Sequence, residues 1–225
     1  MKTLAAFVAG TAIALSANAA TVSFSFNPPN SLQPTEINQT GVLGLFNGAL
    51  GTLTGVALNL SGSSSTQLTL TNFVTPSVIV NATHTTNLFF GSSLGALDGL
   101  LVAANPLLSL SVSTGPVTLS DGISAGFGPL LASKSLVPNV NGILSSFSSS
   151  GGGNFNVTCR SNSSTTVSSG GFAITSVQAT QANCGGSIAY TFEPTANRVP
   201  EPTSLALMGL ALAGLGLMRR KADKA

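Results

Sequence analysis

Apolar and polar residues alternate with a period of two through most of this chain. The clearest stretches are Val22–Phe26, Val56–Leu60, Leu68–Leu70, Leu108–Val112, Phe172–Ser176 and Ile188–Phe192. Successive side chains of a β-strand point to opposite faces, so the alternation predicts strands with one buried face. The last two stretches are predicted to be two separate late strands.

Turn signals separate the alternating stretches. They are Asn47-Gly48, Asp98-Gly99, Asp121-Gly122, Asn141-Gly142, Pro28-Pro29, Pro106, Pro116 and Pro129. Asn, Asp and Gly tolerate turn conformations, and Pro interrupts a strand ladder. Leu94–Leu101 and Leu130–Leu136 are candidate short helical turns, and the Ser/Gly run at residues 145–153 predicts a mobile loop. Many short strands with frequent turns predict an all-β fold, a single antiparallel β-sandwich-like domain.

The first nineteen residues have the three parts of a secretory signal peptide. Lys2 supplies the positive region, Leu4–Leu15 is apolar, and Ala17-Asn18-Ala19 supplies the small residues that signal peptidase requires. Cleavage is therefore predicted between Ala19 and Ala20. A buried N-terminal helix of a cytosolic domain is the alternative, but it would not account for the three parts in this order.

The C-terminus carries a second uncharged apolar stretch with different flanks. Val199-Pro200-Glu201-Pro202 precedes Leu205–Met218, and the basic cluster Arg219-Arg220-Lys221 follows it. A helix here would be roughly 21 to 24 Å long, which is short against a hydrocarbon core of about 30 Å. The cluster would stay on the cytoplasmic side. The pattern predicts a short C-terminal transmembrane helix that leaves the body outside the cytoplasm.

This tail resembles the PEP-CTERM sorting signal of Gram-negative bacteria. The resemblance rests on Pro200-Glu201-Pro202, the glycine-containing apolar stretch and the basic end, and it covers about the last 27 residues. It implies an inner-membrane precursor that an exosortase processes near Glu201. It also implies a mature protein at the cell surface or in an exopolysaccharide (biofilm) matrix. An ordinary membrane anchor is the alternative. The predicted division is residues 1–19, 20–196 and 197–225.

Charge and cysteine content narrow the possible functions. Between Ala20 and Val199 the ionisable residues are Glu36, Asp98, Asp121, Glu193, Lys134, Arg160 and Arg198. A body so nearly neutral offers no basic patch for nucleic acid. Export to an oxidising compartment favours a Cys159–Cys184 disulfide. A metal site would need more ligands than the single His84 can add, and a reactive thiol is the other alternative.

A second resemblance concerns the body. Leu45–Gly62 looks like the opening of the choice-of-anchor E family, and Tyr190-Thr191-Phe192-Glu193-Pro194 looks like its closing aromatic strand. The correspondence would cover most of residues 21–194. Because that family is defined by its interchangeable surface anchors, the resemblance implies a location and no catalytic residues.

Two patterns with catalytic potential lack the residues that they need. Ser93 and Ser124 are the centres of G-x-S-x-G matches, but His84 precedes both, whereas a nucleophile elbow needs a later His. Asp98 and Asp121 could form a glycosidase pair, yet a turn explains each Asp-Gly equally well. We therefore expect no enzyme activity and no cofactor.

The sequence favours an exported structural protein of the surface or matrix. Its uncharged, hydroxyl-rich strands would offer hydrogen bonds to exopolysaccharide and to other copies. A carbohydrate-binding or adhesive module is the alternative. Sugar sites usually stack rings on aromatic side chains, and this chain has no Trp and a single Tyr, Tyr190.

Overall fold

The computed structural model describes residues 19–26, 30–195 and 209–210. The chain divides into two compact units, Met1–Pro194 and Thr195–Ala225. The strands of the first unit are β1 Ala20–Ser25, β2 Gln33–Pro34, β3 Asn38–Gly44, β4 Phe46–Asn47, β5 Gly51–Asn72, β6 Val78–Ser92, β7 Leu108–Ser113, β8 Val117–Leu119, β9 Ser124–Leu136, β10 Ser148–Ser149, β11 Asn154–Ser168 and β12 Ile174–Pro194. One α-helix, α1 (Gly95–Ala103), and two 3-10 helices, Gly48–Leu50 and Asn141–Phe147, complete the described elements.

Two five-stranded sheets form the body. Sheet A has the order β1-β12-β5-β9, with β2 also paired to β12, and sheet B has the order β3-β11-β6-β7, with β8 paired to β6. All pairs within both sheets are antiparallel, and only the small β4–β10 pair is parallel. The predicted all-β, antiparallel, sandwich-like architecture is confirmed.

Several strands are much longer than the sequence predicts. β5 has 22 residues and β12 has 21, so the two predicted late strands are one strand. Phe172 lies outside it and is exposed. The Ser- and Gly-rich middle of β5 continues the ladder because its small side chains fit where the sheets approach closely. A Cβ atom on Gly62 would collide with Leu88 of sheet B.

Three of the predicted local features are wrong, two of them because strand pairing overrides local composition. Leu130–Leu136, a candidate helical turn, lies in β9 and pairs with β5. Pro129 does not end that strand but lies at a bulge, where Gly128 and Pro129 oppose the single residue Gln67. Asp98-Gly99 is not a turn, since it lies inside α1; the alternative helical prediction for Leu94–Leu101 is the correct one.

The predicted mobile loop at residues 145–153 is also largely ordered. Phe147 is fully buried and packs edge-on against Phe155. Ser148–Ser149 pair with Phe46–Asn47, and the turn that follows uses three glycines with positive φ. A single aromatic residue therefore holds a segment whose composition is typical of a linker.

A belt of polar side chains divides the interior into two apolar clusters. The large cluster includes Leu58, Leu60, Leu88 and Phe90; the small one consists of Leu68, Leu70, Val80, Ala82 and Leu119. Between them, at inward positions of β5, β6 and β12, lie Ser64, Thr66, His84, Thr86 and Thr180, all buried. Buried polar groups are stable only when hydrogen-bonded, so this belt restricts how the sheets can align.

A disulfide joins the two sheets. Cys159 of β11 and Cys184 of β12 are bonded, with Cα atoms 6.4 Å apart, and both side chains are buried in the large cluster. The predicted pairing is confirmed. Because β11 belongs to sheet B and β12 to sheet A, the bond links facing layers of the body.

Candidate functional site

Three adjoining open pockets form a groove along sheet A; the third reaches the edge of the sheet, where Ser163 of sheet B also lines it. Their volumes are about 620, 270 and 600 Å³. The first and second share Ser63 and Ser133, and the second and third share Ser65. We call this feature the serine groove, and its floor is the outward row of β5, namely Ser61, Ser63, Ser65 and Gln67.

The strand register explains why these polar side chains line up. Ser61, Ser63 and Ser65 are two residues apart, so their side chains emerge on one face while Ser64 and Thr66 point inward. Cross-strand partners extend each row: Ser135 and Gly185 flank Ser61, and Ser133 and Asn183 flank Ser63. These rows place hydroxyl and amide groups side by side across three strands, and Leu131, the partner of Ser65, adds an exposed apolar side chain beside them.

Hydrogen bonds fix the first pocket. The Ser63 hydroxyl donates to Asn183 Oδ1 at 2.5 Å, and Asn183 Nδ2 donates to the Asn30 carbonyl at 3.3 Å. Gly185 keeps the floor open, because a Cβ there would lie 2.5 Å from the Ser61 hydroxyl. The Asn30 side-chain nitrogen is buried and has no hydrogen-bond partner among the described residues.

The third pocket holds the carboxylate of the groove. Glu36 Oε1 accepts a hydrogen bond of 3.0 Å from the Ser163 backbone amide. Gln67 and Gln181 supply amides beside it. Lys134 borders the first pocket, but its register partner is the inward-facing Gly62, so its side chain leaves from the other face of β9.

The chemistry of the groove suits a neutral, polyhydroxylated ligand. Hydroxyl and amide groups both donate and accept hydrogen bonds, as sugar hydroxyls do. Phe26, the aromatic residue among the lining side chains, is buried against Gly41 and Gly186. Tyr190 is also buried, where it donates 2.7 Å to the Gly44 carbonyl within a cluster of phenylalanines. Contacts in the groove would therefore be hydrogen bonds, with apolar contacts to Leu32 and Leu131 and without ring stacking.

His84 belongs to the polar belt and not to the groove. The Thr165 hydroxyl donates to Gln178 Oε1, so its oxygen accepts from His84 Nδ1 at 2.8 Å. His84 Nε2 is then the acceptor of the Thr86 hydroxyl at 3.3 Å. The Thr180 oxygen lies 3.1 Å from Nε2 and donates its proton to Thr66. Burial lowers the pKa of His84, and its hydrogen bonding with Gln178 opposes that shift. Among the described residues this histidine links strands of both sheets.

The structure separates the residues that a hydrolase would need to bring together. Ser93 bonds to the Asn156 amide at 2.9 Å, and Ser124 bonds to Thr71 at 2.8 Å. Asp98 accepts from the Ser92 amide at the end of β6, whereas Asp121 lies in the turn after β8, beside the start of β6. Fourteen strand residues between these points span about 45 Å, against the roughly 5 to 10 Å of a glycosidase pair.

Residues 19–26, 30–195 and 209–210 contain neither a metal-ligand cluster nor a membrane-spanning helix. Within them no group of three or more His, Cys, Asp or Glu side chains could hold a metal ion. No helix there is both long and apolar enough to cross a bilayer. The predicted transmembrane stretch, Leu205–Met218, lies outside the described residues except for Gly209 and Leu210, which are helical.

Most of the residues predicted to direct processing at the two ends of the chain lie outside the described range. Ala20 is the first residue of β1 and Ala19 directly precedes it, while cleavage between them stays a prediction. Pro200, Glu201, Pro202, Arg219, Arg220 and Lys221 lie outside the described residues. The serine groove was missed by sequence reasoning. The Ser61-x-Ser63-x-Ser65 alternation signalled an exposed polar face, but the neighbouring strands become known only from the register.

These features define a class of protein: an all-β body whose two sheets are linked by a disulfide, followed by a C-terminal sorting segment. Residues 198–221 match the PEP-CTERM protein-sorting motif. This match includes Pro200-Glu201-Pro202 and Arg219-Arg220-Lys221, and it supports a membrane-anchored, exported protein that an exosortase sorts.

Comparisons of the whole chain add little. No curated protein matches it. Among solved structures, the infectious bursal disease virus Gx strain matches with 11% identity and a TM-score of 0.18, over 92% of this chain and 53% of that one. The structure of the Gt strain matches with 12% identity and a TM-score of 0.13, over 87% of this chain and 47% of that one. A VP2 subviral particle of the same virus matches with 12% identity and a TM-score of 0.15, over 84% of this chain and 49% of that one. The chain spans about half the length of these structures, and TM-scores this low support no common fold.

Proposed function

We propose that the mature protein is a non-enzymatic structural component of the cell surface or exopolysaccharide matrix of a Gram-negative bacterium. The observation that carries this proposal is the serine groove, whose floor is a row of uncharged hydroxyl and amide groups between the apolar side chains of Leu32 and Leu131 and the carboxylate of Glu36. Such a surface would hold neutral polysaccharide through many weak, partly water-mediated hydrogen bonds. The sorting motif supports the same location, since exosortase processing would release the body outside the cell.

The resemblance of Leu45–Gly62 and Tyr190–Pro194 to the choice-of-anchor E family supports the surface location further. These segments form the start of β5 with its preceding turn and the end of β12, which pair with each other. We assign the body to that type as part of the proposal. The distance between Asp98 and Asp121 supports the absence of glycosidase chemistry.

A carbohydrate-binding module with a defined pocket is the second candidate. The first pocket favours it, because Asn30, Ser63 and Asn183 form a hydrogen-bonded wall around a volume of about 620 Å³. The two candidates differ in how short sugars compete. A defined pocket would be blocked by an oligosaccharide of a few units, whereas an extended surface would release the protein only to the polymer.

Co-sedimentation of the exported protein with exopolysaccharide tests the proposal. Changing Ser61, Ser63 and Ser65 together to Ala should reduce the bound fraction several-fold, because three floor hydroxyls are lost. Thr83, Ser164 and Thr166, on the outer face of sheet B, provide a matched triple-Ala control that should bind like wild type. Equal binding by both triple variants, or an equal loss in both, would contradict the role of the groove.

A further inference from the structure

The N-terminal part of β12 has a neighbouring strand on one side only, among the described residues. β1 pairs with Ser187–Phe192 of β12, and β2 pairs with Gln181 and Ala182. The Thr180 carbonyl still accepts from Thr35 at 3.0 Å. Beyond it, Ile174–Ala179 pair on one side only, with β5. This stretch, which we call the open edge, presents backbone groups that a further strand could bind.

The direction of the free groups follows from Thr180. In an antiparallel strand, the N–H and C=O of every second residue point to the same neighbour. Since Thr180 points its carbonyl away from β5, Gln178 and Ser176 point their N–H and C=O to the open side as well. Ser176 and Gln178 thus each offer one backbone donor and one backbone acceptor to a further strand.

The opposite edge of sheet A and one position on the edge of sheet B carry features that discourage pairing. β9, at the opposite edge of sheet A, has the Gly128-Pro129 bulge and the inward-facing Lys134. On sheet B, the Glu36 carboxylate already binds the edge amide of Ser163. Prolines, bulges, inward charges and capped amides are the usual protections of strand edges. The open edge has none of them, and its side chains are uncharged.

We infer that the open edge binds a second copy of itself, antiparallel, about a two-fold axis at Val177. In this register Ser176 would lie opposite Gln178 of the second copy, and the two residues would exchange both backbone hydrogen bonds. Val177 would face its equivalent in a non-hydrogen-bonded pair, where side chains approach most closely. Val177 is 65% exposed, and this contact would cover it.

Several features favour a second copy over other occupants. In a two-fold interface the open edge of one copy faces the same residues of the other copy. Because the open edge has no charged side chain, this pairing brings no like charges together. The chain's own C-terminal residues cannot reach it after processing. Pro194 lies about 55 Å along β12 from Val177, whereas residues 195–200 span at most about 20 Å. Ala20 lies at that same far end, opposite Phe192.

Sedimentation of the exported protein tests this interface independently of polysaccharide binding. Wild type should form a dimer, and Val177→Lys should weaken it at least about tenfold, because two ammonium groups would face each other across the axis. Ile79→Lys is the matched control, since Ile79 is a β-branched strand residue with 68% exposure on sheet B. This control should remain dimeric, and circular dichroism should show that both variants fold.

A cross-linking variant gives a second, positive test. Both native cysteines are already bonded to each other. Val177→Cys should therefore form a covalent dimer on a non-reducing gel, since facing Cα atoms in such a pair lie within disulfide reach. Ile79→Cys should run as a monomer on the same gel, because Ile79 lies outside the interface and forms no cross-link. A monomeric wild type at all concentrations, a Val177→Lys dimer as tight as wild type, or equal cross-linking by both cysteine variants would overturn the inference.

Discussion

Ala20 lies directly opposite Phe192 in the β1–β12 pair. The first residue after the predicted signal peptide and the last aromatic residue before the tail therefore meet at one end of the body. β12 continues from there for 18 residues to Ile174, about 60 Å away. Both processing events would act next to the same end, and the small apolar cluster and the open edge lie toward the other.

Removing the disulfide should destabilise the body. Changing Cys159 and Cys184 together to Ala is expected to lower the free energy of unfolding by about 3 to 4 kcal/mol, because the bridge closes a loop with a sequence separation of 25. Urea unfolding measures the change. Reduced wild type serves as the control and should unfold at the same urea concentration as the double variant; an unchanged midpoint in both would contradict the prediction.

Stability should fall in mild acid because of His84. Its folded-state pKa is lowered by burial, so the unfolded chain binds the proton more readily. The stability that neutral His84 contributes is fully present above the ordinary histidine pKa of about 6.5. It is lost as pH falls below that pKa, by at most about 1.4 kcal/mol per pH unit. Urea midpoints between pH 8 and pH 5 should show the slope, and His84→Gln, which cannot titrate, should lack that part of it. Parallel curves for the two proteins would refute the assignment.

The contact between Gly62 and Leu88 should be sensitive to a single methyl group. Gly62→Ala is expected to cost about 1 to 3 kcal/mol, because the new Cβ meets Leu88 across the two sheets. Adding Leu88→Val should recover part of the loss. Gly126→Ala provides the comparison, since nothing lies within 4 Å of its Cβ position. If all three proteins unfold at the same urea concentration, the sheets do not approach there as described.

Replacing Asp98 or Asp121 should change the free energy of unfolding by different amounts, and neither replacement should remove an enzymatic activity. Asp98→Ala removes the acceptor of the Ser92 amide, 2.8 Å away, and should cost about 1 to 2 kcal/mol. Asp121 is exposed in its turn, and Asp121→Ala should change the unfolding free energy by less than about 0.5 kcal/mol. A hydrolytic activity on glycan or ester substrates that disappears with either change would contradict the non-enzymatic account.

Alternation in the sequence predicts the faces of most strands correctly, as Leu58, Leu68 and Leu110 show by their burial. It does not predict strand length, because Ser61–Ser65 has a turn-like composition and joins β5 only through two neighbouring strands. The serine groove depends on the same pairing, which links residues more than a hundred positions apart. The polar belt around His84 could not be predicted from the sequence either, because its partners Thr165 and Thr180 lie on other strands.

The sorting motif offers the most direct test of the whole account. Prolines on both sides of Glu201 favour an extended peptide that a membrane-embedded enzyme could bind. Changing Pro200, Glu201 and Pro202 together to Ala should leave the precursor in the inner membrane. If the segment is only a stiff linker, this variant would reach the matrix unchanged.

Intact-mass measurement of the membrane and extracellular fractions, with and without the exosortase, decides the question. The account predicts an extracellular form that begins at Ala20 and has lost Leu205–Met218 with the basic end. It also predicts that, without the enzyme, only the longer membrane form is found. An extracellular protein of identical mass in both strains, or one that keeps Arg219-Arg220-Lys221, would contradict it.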